Sequence, residues 1–247
     1  MDLGLAGAAA LVTGGNRGIG RATAAALVRE GARVVLLARD AVALAAAAAE
    51  IGAAGHVVAD TTDDVAVASA VDEAVRLLGG LDVLVNCAAP RADRAAPPGL
   101  AGLDEADFLR NVDTKALGYL RTARAAAPYL RLRGGAIVNI SGMNARSTGN
   151  IAGSVRNIAV VALSKNLADE LGPAGIAVSC VHPGLTVTER TEGDPEYAAA
   201  ASANALGRPV TAAEVADVVT FLASPRGRVA NGAVVTADGG RPGAVWA

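Results

Sequence analysis

The chain has 247 residues, 52% of them hydrophobic and 19% charged, so it can bury a sizeable core and is not composed like a disordered chain. A formal net charge of −2 excludes a basic nucleic-acid footprint as its main theme, and no run of about 18 strongly apolar residues predicts a membrane span. Cys87 and Cys180 sit in apolar strand-like runs and read as buried thiols of a cytoplasmic protein, while His56 and His182 are too few and too far apart for a histidine metal site, so no metal is expected.

Ala8–Val12 reads as a short buried strand ended by Thr13 and Gly14, followed by a helix over Gly18–Glu30 that Gly31 stops. Arg33–Ala38 is a second strand, and Asp40 caps a helix through Ile51. His56–Ala59 is a third strand, and Asp63–Leu78 a helix with apolar residues at Val67, Val71, Val75 and Leu78. Leu81–Val85 is a fourth strand. A loop over Pro90–Gly102 carries Pro97-Pro98, and one long helix is predicted from about Asp104 to Leu132. Ala136–Ile140 is a fifth strand, about Asn150–Leu171 a helix, and Ile176–Val181 a sixth strand. Leu185–Tyr197 reads as a lid-like loop with five charges, Thr211–Ala223 as a helix and Ala233–Thr236 as a last strand. Trp246, the sole tryptophan, is expected to pack the C-terminal tail on a neighbouring subunit.

Continuously apolar strands separated by helices predict an α/β fold: a doubly wound parallel sheet of about seven strands with helices on both faces. No repeat or linker interrupts it, so residues 1–247 are expected to form a single dinucleotide-binding domain with a substrate-loop region at about 185–205.

Thr13-Gly14-Gly15-Asn16-Arg17-Gly18-Ile19-Gly20 follows the first strand and opens the first helix, the context in which a glycine pattern signals a dinucleotide. Gly14 permits a tight turn, Gly18 lets backbone approach a pyrophosphate, and Gly20 lets helix pack on strand, with the helix N-terminus facing the phosphates. The second strand ends in Leu37-Ala38-Arg39 with no acid to hold a ribose 2′-hydroxyl. Arg39 and Arg17 instead suit a 2′-phosphate, so NADP(H) is expected over NAD(H).

These residues resemble the short-chain dehydrogenase/reductase family over essentially the whole chain. Asp60 matches that family's adenine-contacting Asp. Asn86 and Ala88 match its Asn-Asn-Ala-Gly element in part. Pro183, Gly184 and Thr188 match the element that holds the nicotinamide carboxamide, and Gly207-Arg208-Pro209 and Ala237-Asp238-Gly239-Gly240 match patterns near the C-terminus. The resemblance implies a Rossmann fold, a homodimer or homotetramer, and hydride transfer between NADP(H) and a carbonyl or alcohol small molecule.

The family's usual proton-transfer set is a Ser, a Tyr-x-x-x-Lys pair and an Asn. This chain departs from it. Between Ser141 and Ser164 there is neither tyrosine nor lysine. The Tyr position becomes Gly153, its partner Lys position Asn157, the Ser position Gly142, and the Asn position Lys115. Lysine and asparagine have thus changed places. Lys115 is one of two lysines, against 20 arginines, and an ammonium can lose a proton on burial where a guanidinium cannot. Lys115, Asn157, Ser141 and Asn144 are therefore the candidate catalytic residues. Gly142 and Gly153 are expected to leave a widened pocket, and Tyr119 to pack at a subunit contact. An altered oxidoreductase is the leading expectation. A cofactor-binding but catalytically silent sensor or partner subunit, and a non-redox enzyme reusing the pocket, are the alternatives.

Overall fold

A computed structural model describes residues 1–90 and 99–242, without the side chain of Ala101. Residues 91–98 of the loop expected over Pro90–Gly102, Pro97-Pro98 among them, and Trp246 lie outside the described residues. Seven strands form one parallel sheet: β1 (Ala9–Thr13), β2 (Arg33–Ala38), β3 (Gly55–Val58), β4 (Val83–Asn86), β5 (Gly135–Ile140), β6 (Ile176–Pro183) and, last in the chain, a strand over Val234–Ala237. Two further short strands precede it, β7 (Thr186–Val187) and β8 (Val210–Thr211), so the last is β9. The sheet order is β3-β2-β1-β4-β5-β6-β9. The order reverses direction between β1 and β4, which opens a crevice at the carboxyl ends of those strands.

Helices α1 (Gly18–Arg29), α2 (Ala41–Ile51) and α3 (Asp64–Leu78) alternate with the first strands. Their ends are written in the sequence. Asp40 and Asp63 accept N-cap hydrogen bonds from the Ala43 and Ala66 amides, and Gly52 and Gly79 close the helices in the left-handed conformation. Side-chain alternation along the strands splits the core in two. Ala10, Val12, Val34, Leu36 and Val85 face one layer with Leu27 and Leu44. Ala9, Leu11, Val35, Leu37 and Leu84 face the other with Val67, Val71 and Leu78. Both faces being covered accounts for the near-continuous apolar runs.

Two expectations need correction. The helix expected over Asp104–Leu132 is divided into α4 (Glu105–Val112) and α5 (Gly118–Leu130) by a π-helical turn over Asp113–Leu117. The wider turn inserts a residue and rotates α5 relative to α4. It is held by Arg121, which donates to the Asp113 carboxylate at 2.7 Å and to the Thr61 carbonyl at 3.1 Å. The loop expected over Leu185–Tyr197 is also more ordered than its composition suggests. β7 pairs in parallel with β8, and α7 (Pro195–Ala201) starts on an Asp194 cap. Helices α6 (Ile151–Leu171) and α8 (Ala212–Ala223) complete the layers, the latter on a Thr211–Glu214 capping box. No helix among the described residues is long and apolar enough to cross a membrane.

Candidate active site

The carboxyl ends of β1 and β4 are tied together at the crevice. The Thr13 hydroxyl accepts from the Cys87 amide at 3.1 Å and the Ala88 amide at 3.2 Å. Gly14 turns with φ +65°, and a Cβ there would come within 2.9 Å of the Ala88 nitrogen. A Cβ on Gly20 would collide with the Gly14 carbonyl. The turn therefore closes only with glycine at both positions, and it delivers the amino end of α1 to the crevice.

A cleft of about 770 Å³ runs along this edge. One end is walled by Gly14, Asn16, Arg17, Gly18, Ile19 and Gly20, with Arg39 at the end of β2. The middle is walled by Ala88, Pro183, Gly184 and Thr188, and the far end by Lys115 and Ser141. These thirteen expected site residues are thus brought to one surface. Thr61, Thr114, Arg190 and Tyr197 also line it and were not singled out beforehand. Arg190 and Tyr197 lie within or beside the charged lid segment, and that proximity was the only sequence signal for them.

Four expected residues stand apart from the cleft wall. Asp60 binds Thr62 through its amide and hydroxyl, both at 2.9 Å, and pairs with Arg39 at 3.3 Å. Burial alone would raise its pKa, but the Thr62 and Arg39 contacts together hold it below the usual carboxylate range. Asn86 is fully buried under the floor. It donates to Asn139 at 2.9 Å and accepts from Thr122 at 2.7 Å, joining β4, β5 and α5. Asn157 lies behind Lys115. Asn144 packs on α6 at Gly153.

At the far end Lys115 and Asn157 are in direct contact. The π-helical turn carries Lys115 inward until it is 4% exposed. Its Nζ donates to Asn157 Oδ1 and to the Ser141 carbonyl, both at 2.8 Å. The Ser141 hydroxyl in turn donates to the Asn157 carbonyl at 2.8 Å. Burial, and secondarily the Arg156 guanidinium, pull the Lys115 pKa down to about 7. Two carbonyl acceptors favour the ammonium while burial favours the amine. Two of the ammonium's three N–H bonds are used, and the third is available to the cleft that Lys115 lines.

Three expectations fail here. The pocket is not widened at Gly142 and Gly153. A Cβ on Gly142 would lie 2.9 Å from Asn157 Nδ2, and one on Gly153 2.7 Å from Asn144 Nδ2. Asparagine amides occupy the room beside both glycines. Asn144 belongs to that filling rather than to the cleft wall. Tyr119 is 1% exposed, and its hydroxyl donates to the Ile140 carbonyl at 3.0 Å, so it is a core residue of this subunit and not an interface residue. Cys180 is buried as expected, whereas Cys87 is only half-buried and lines the cleft; burial pushes their thiol pKa values up to about 11 and about 12.

A family model described as enoyl-(acyl carrier protein) reductase matches residues 14–241. The chain is 36% identical over 248 residues to the short-chain reductase protein NovJ of Streptomyces niveus, covering 94% of this chain and 93% of that protein. The chain belongs to the short-chain dehydrogenase/reductase family. This member of the family is also 36% identical over 250 residues to a 3-alpha-(or 20-beta)-hydroxysteroid dehydrogenase of Mycobacterium bovis, covering 96% of this chain and 90% of that one. Among solved structures it superposes on an L-sorbose reductase of Gluconobacter frateurii in complex with NADPH and L-sorbose. The TM-score is 0.90 at 27% identity, covering 99% and 100% of the two chains. This chain therefore shares the short-chain dehydrogenase/reductase fold with these relatives.

Proposed function

We propose that this chain is an NADP(H)-dependent oxidoreductase acting on a carbonyl or alcohol small molecule, with Lys115 in place of the family's tyrosine–lysine pair. The observation that carries this reading is the single cleft, which joins a glycine-turn anion cradle to a buried, hydrogen-bonded lysine. The cradle fits a dinucleotide because its turn admits no Cβ at Gly14 or Gly20 and presents the amino end of a helix. Arg17 and Arg39 would hold the 2′-phosphate, Gly18 and Ile19 the pyrophosphate, and Pro183, Gly184 and Thr188 the nicotinamide amide. When bound, the nicotinamide supplies or accepts the hydride.

The remaining work falls to side chains of this protein. Reduction of a carbonyl needs a proton at the oxygen, and oxidation of an alcohol needs one removed. Lys115 holds a transferable proton at Nζ and is fixed by Asn157 Oδ1 and the Ser141 carbonyl. Asn157 is held by the Ser141 hydroxyl through its own carbonyl, so the three residues form a closed unit. Asn157 and Ser141 are positioning residues in this scheme, and Lys115 is the proton carrier. The reading is consistent with the names of the relatives, among them a hydroxysteroid dehydrogenase and a sugar reductase crystallised with NADPH.

The test is two measurements on purified protein. Calorimetry with NADPH and NADH is expected to show saturable binding with NADPH the tighter. Absorbance at the reduced nicotinamide band is expected to fall with at least one member of a ketone, aldehyde and sugar panel. No saturable NADPH binding by folded protein overturns the proposal. A second reading, a dinucleotide-binding but silent protein, is favoured by the asparagine amides that fill the space at Gly142 and Gly153. Tight NADPH binding without turnover across the panel would select it.

A further inference from the structure

The lid segment reaches back to the anion cradle. Glu189 follows Thr188 at the cleft wall, and its Oε1 accepts a hydrogen bond from the Gly18 amide at 2.8 Å. Gly18 is the first residue of α1. That amide belongs to the group of N–H bonds with which a glycine turn of this kind meets pyrophosphate oxygens. No acid of α1 itself lies in its first turn, so the carboxylate at this helix end comes from the lid.

The contact is held from the lid side as well. Thr188 to Glu192 form a closed turn. The Thr188 amide donates to the Thr191 hydroxyl at 3.0 Å, and the Thr188 carbonyl accepts from the Thr191 and Glu192 amides, each at 2.9 Å. The same turn touches the glycine loop, since a Cβ on Gly18 would lie 3.6 Å from the Thr188 methyl. Beyond it the lid is anchored by the Tyr197 hydroxyl, which donates to the Thr186 carbonyl at 3.1 Å. The lid is thus a small ordered unit with a carboxylate presented to the cradle.

We propose that Glu189 is an internal competitor for the pyrophosphate. Its carboxylate occupies a donor that the dinucleotide uses, and so couples the position of the lid to cofactor binding. The inference rests on the dinucleotide reading of the cleft and adds its regulation. A carboxylate and a phosphate oxygen carry the same charge and seek the same N–H, and two anions at hydrogen-bond distance from one donor repel each other. Dinucleotide entry therefore displaces the Glu189 carboxylate from the Gly18 amide and frees the lid from the glycine loop at that point.

The test compares wild type with Glu189→Ala and Glu189→Gln, both changes at an exposed hydrogen bond. NADPH binding is read by nucleotide fluorescence. Amide hydrogen exchange over residues 186–197 is read without added nucleotide. Removing the carboxylate is expected to tighten NADPH binding about three- to tenfold, with glutamine giving part of the gain. It is also expected to speed exchange across the lid. If wild type binds NADPH and Glu189→Ala binds it equally or more weakly, the competitor is disproved while the dinucleotide reading stands. If the alanine variant binds NADPH where wild type does not, the competitor is supported in its strongest form. If none of the three proteins binds NADPH, both readings fall, whatever the lid exchange shows.

Discussion

The two ends of the cleft are built from different materials. The phosphate end is backbone: a turn, a helix terminus and glycines whose missing side chains make the approach possible. The chemistry end is side chains: an ammonium, an amide and a hydroxyl that hold one another. A backbone-built end admits almost no variation at its glycines, because a Cβ at Gly20 meets a carbonyl oxygen that cannot move without unmaking the turn. A side-chain-built end can be rewritten by exchange, provided that charge and hydrogen bonds still close. Lys115 and Asn157, read in the sequence as such an exchange, close on each other at 2.8 Å.

The largest expected effect falls on the chemistry end. Lys115→Met keeps the length and burial of the side chain and removes the proposed proton carrier. Turnover is expected to fall by about 10²–10⁴-fold, the usual worth of a positioned general acid, with NADPH affinity changed far less. Single-turnover absorbance separates the two quantities. Turnover retained within about threefold would detach the chemistry from this lysine. Next in size is the phosphate end. Gly20→Val forces a branched side chain onto the Gly14 carbonyl, and overpacking of this kind costs about 1–3 kcal/mol. Thermal unfolding should register that loss, and NADPH affinity should drop by at least about tenfold because the turn itself must shift. The two variants break the cleft in opposite ways: one binds without turning over, the other scarcely binds.

That contrast also separates what could be read in the residues from what could not. The seven-stranded parallel sheet is legible in apolar runs and caps such as Asp40 and Asp63, because burial on both faces leaves a local imprint. The glycine turn is legible for the same reason: its constraint is local. The widened pocket did not hold, because the room at Gly142 and Gly153 depends on Asn157 and Asn144, and nothing at the glycines themselves reports where those amides point. Tyr119 read as an interface residue because aromatic residues on a helix suit either a core or a contact. Its burial to 1% exposure, with the hydrogen bond to the Ile140 carbonyl, decides between them. The π-helical turn was likewise invisible, since inserting one residue into a helix leaves the composition unchanged.

A pH series sharpens the chemistry end. Lys115 has a folded pKa near 7 against an ordinary value of 10.5, lowered first by burial and then by Arg156. In the proposed scheme reduction uses the ammonium, so its rate is expected to level off in acid and fall about tenfold per pH unit above the folded pKa. Oxidation uses the amine and should show the opposite limb. The same shift sets the sign for stability. Between pH 7 and 10.5 the unfolded chain holds a proton that the folded one has released, so this residue makes the protein more stable as pH rises through that window. Lys115→Met should flatten both dependences. A reduction rate that rises with pH in wild type would assign the proton to another group.

The smallest effects test whether the phosphate end owes anything to side chains. Arg39 lies at the cleft wall and pairs with Asp60 at 3.3 Å, with the two side chains 59% and 37% exposed. An ion pair so open to water is worth about 0–1 kcal/mol, so Asp60→Asn should move the unfolding midpoint by only a few degrees. The same weakness means that Asp60 gives Arg39 up readily, and NADPH affinity in Asp60→Asn should stay within about threefold of wild type. Arg39→Ser is different, because a guanidinium against a 2′-phosphate makes charge-assisted hydrogen bonds worth about 1.5 kcal/mol or more. NADPH affinity should fall about tenfold while NADH affinity stays unchanged. Equal losses for the two nucleotides would mean that Arg39 serves the fold or the adenine and not the phosphate. The discrimination would then have to come from Arg17, the other guanidinium on that wall.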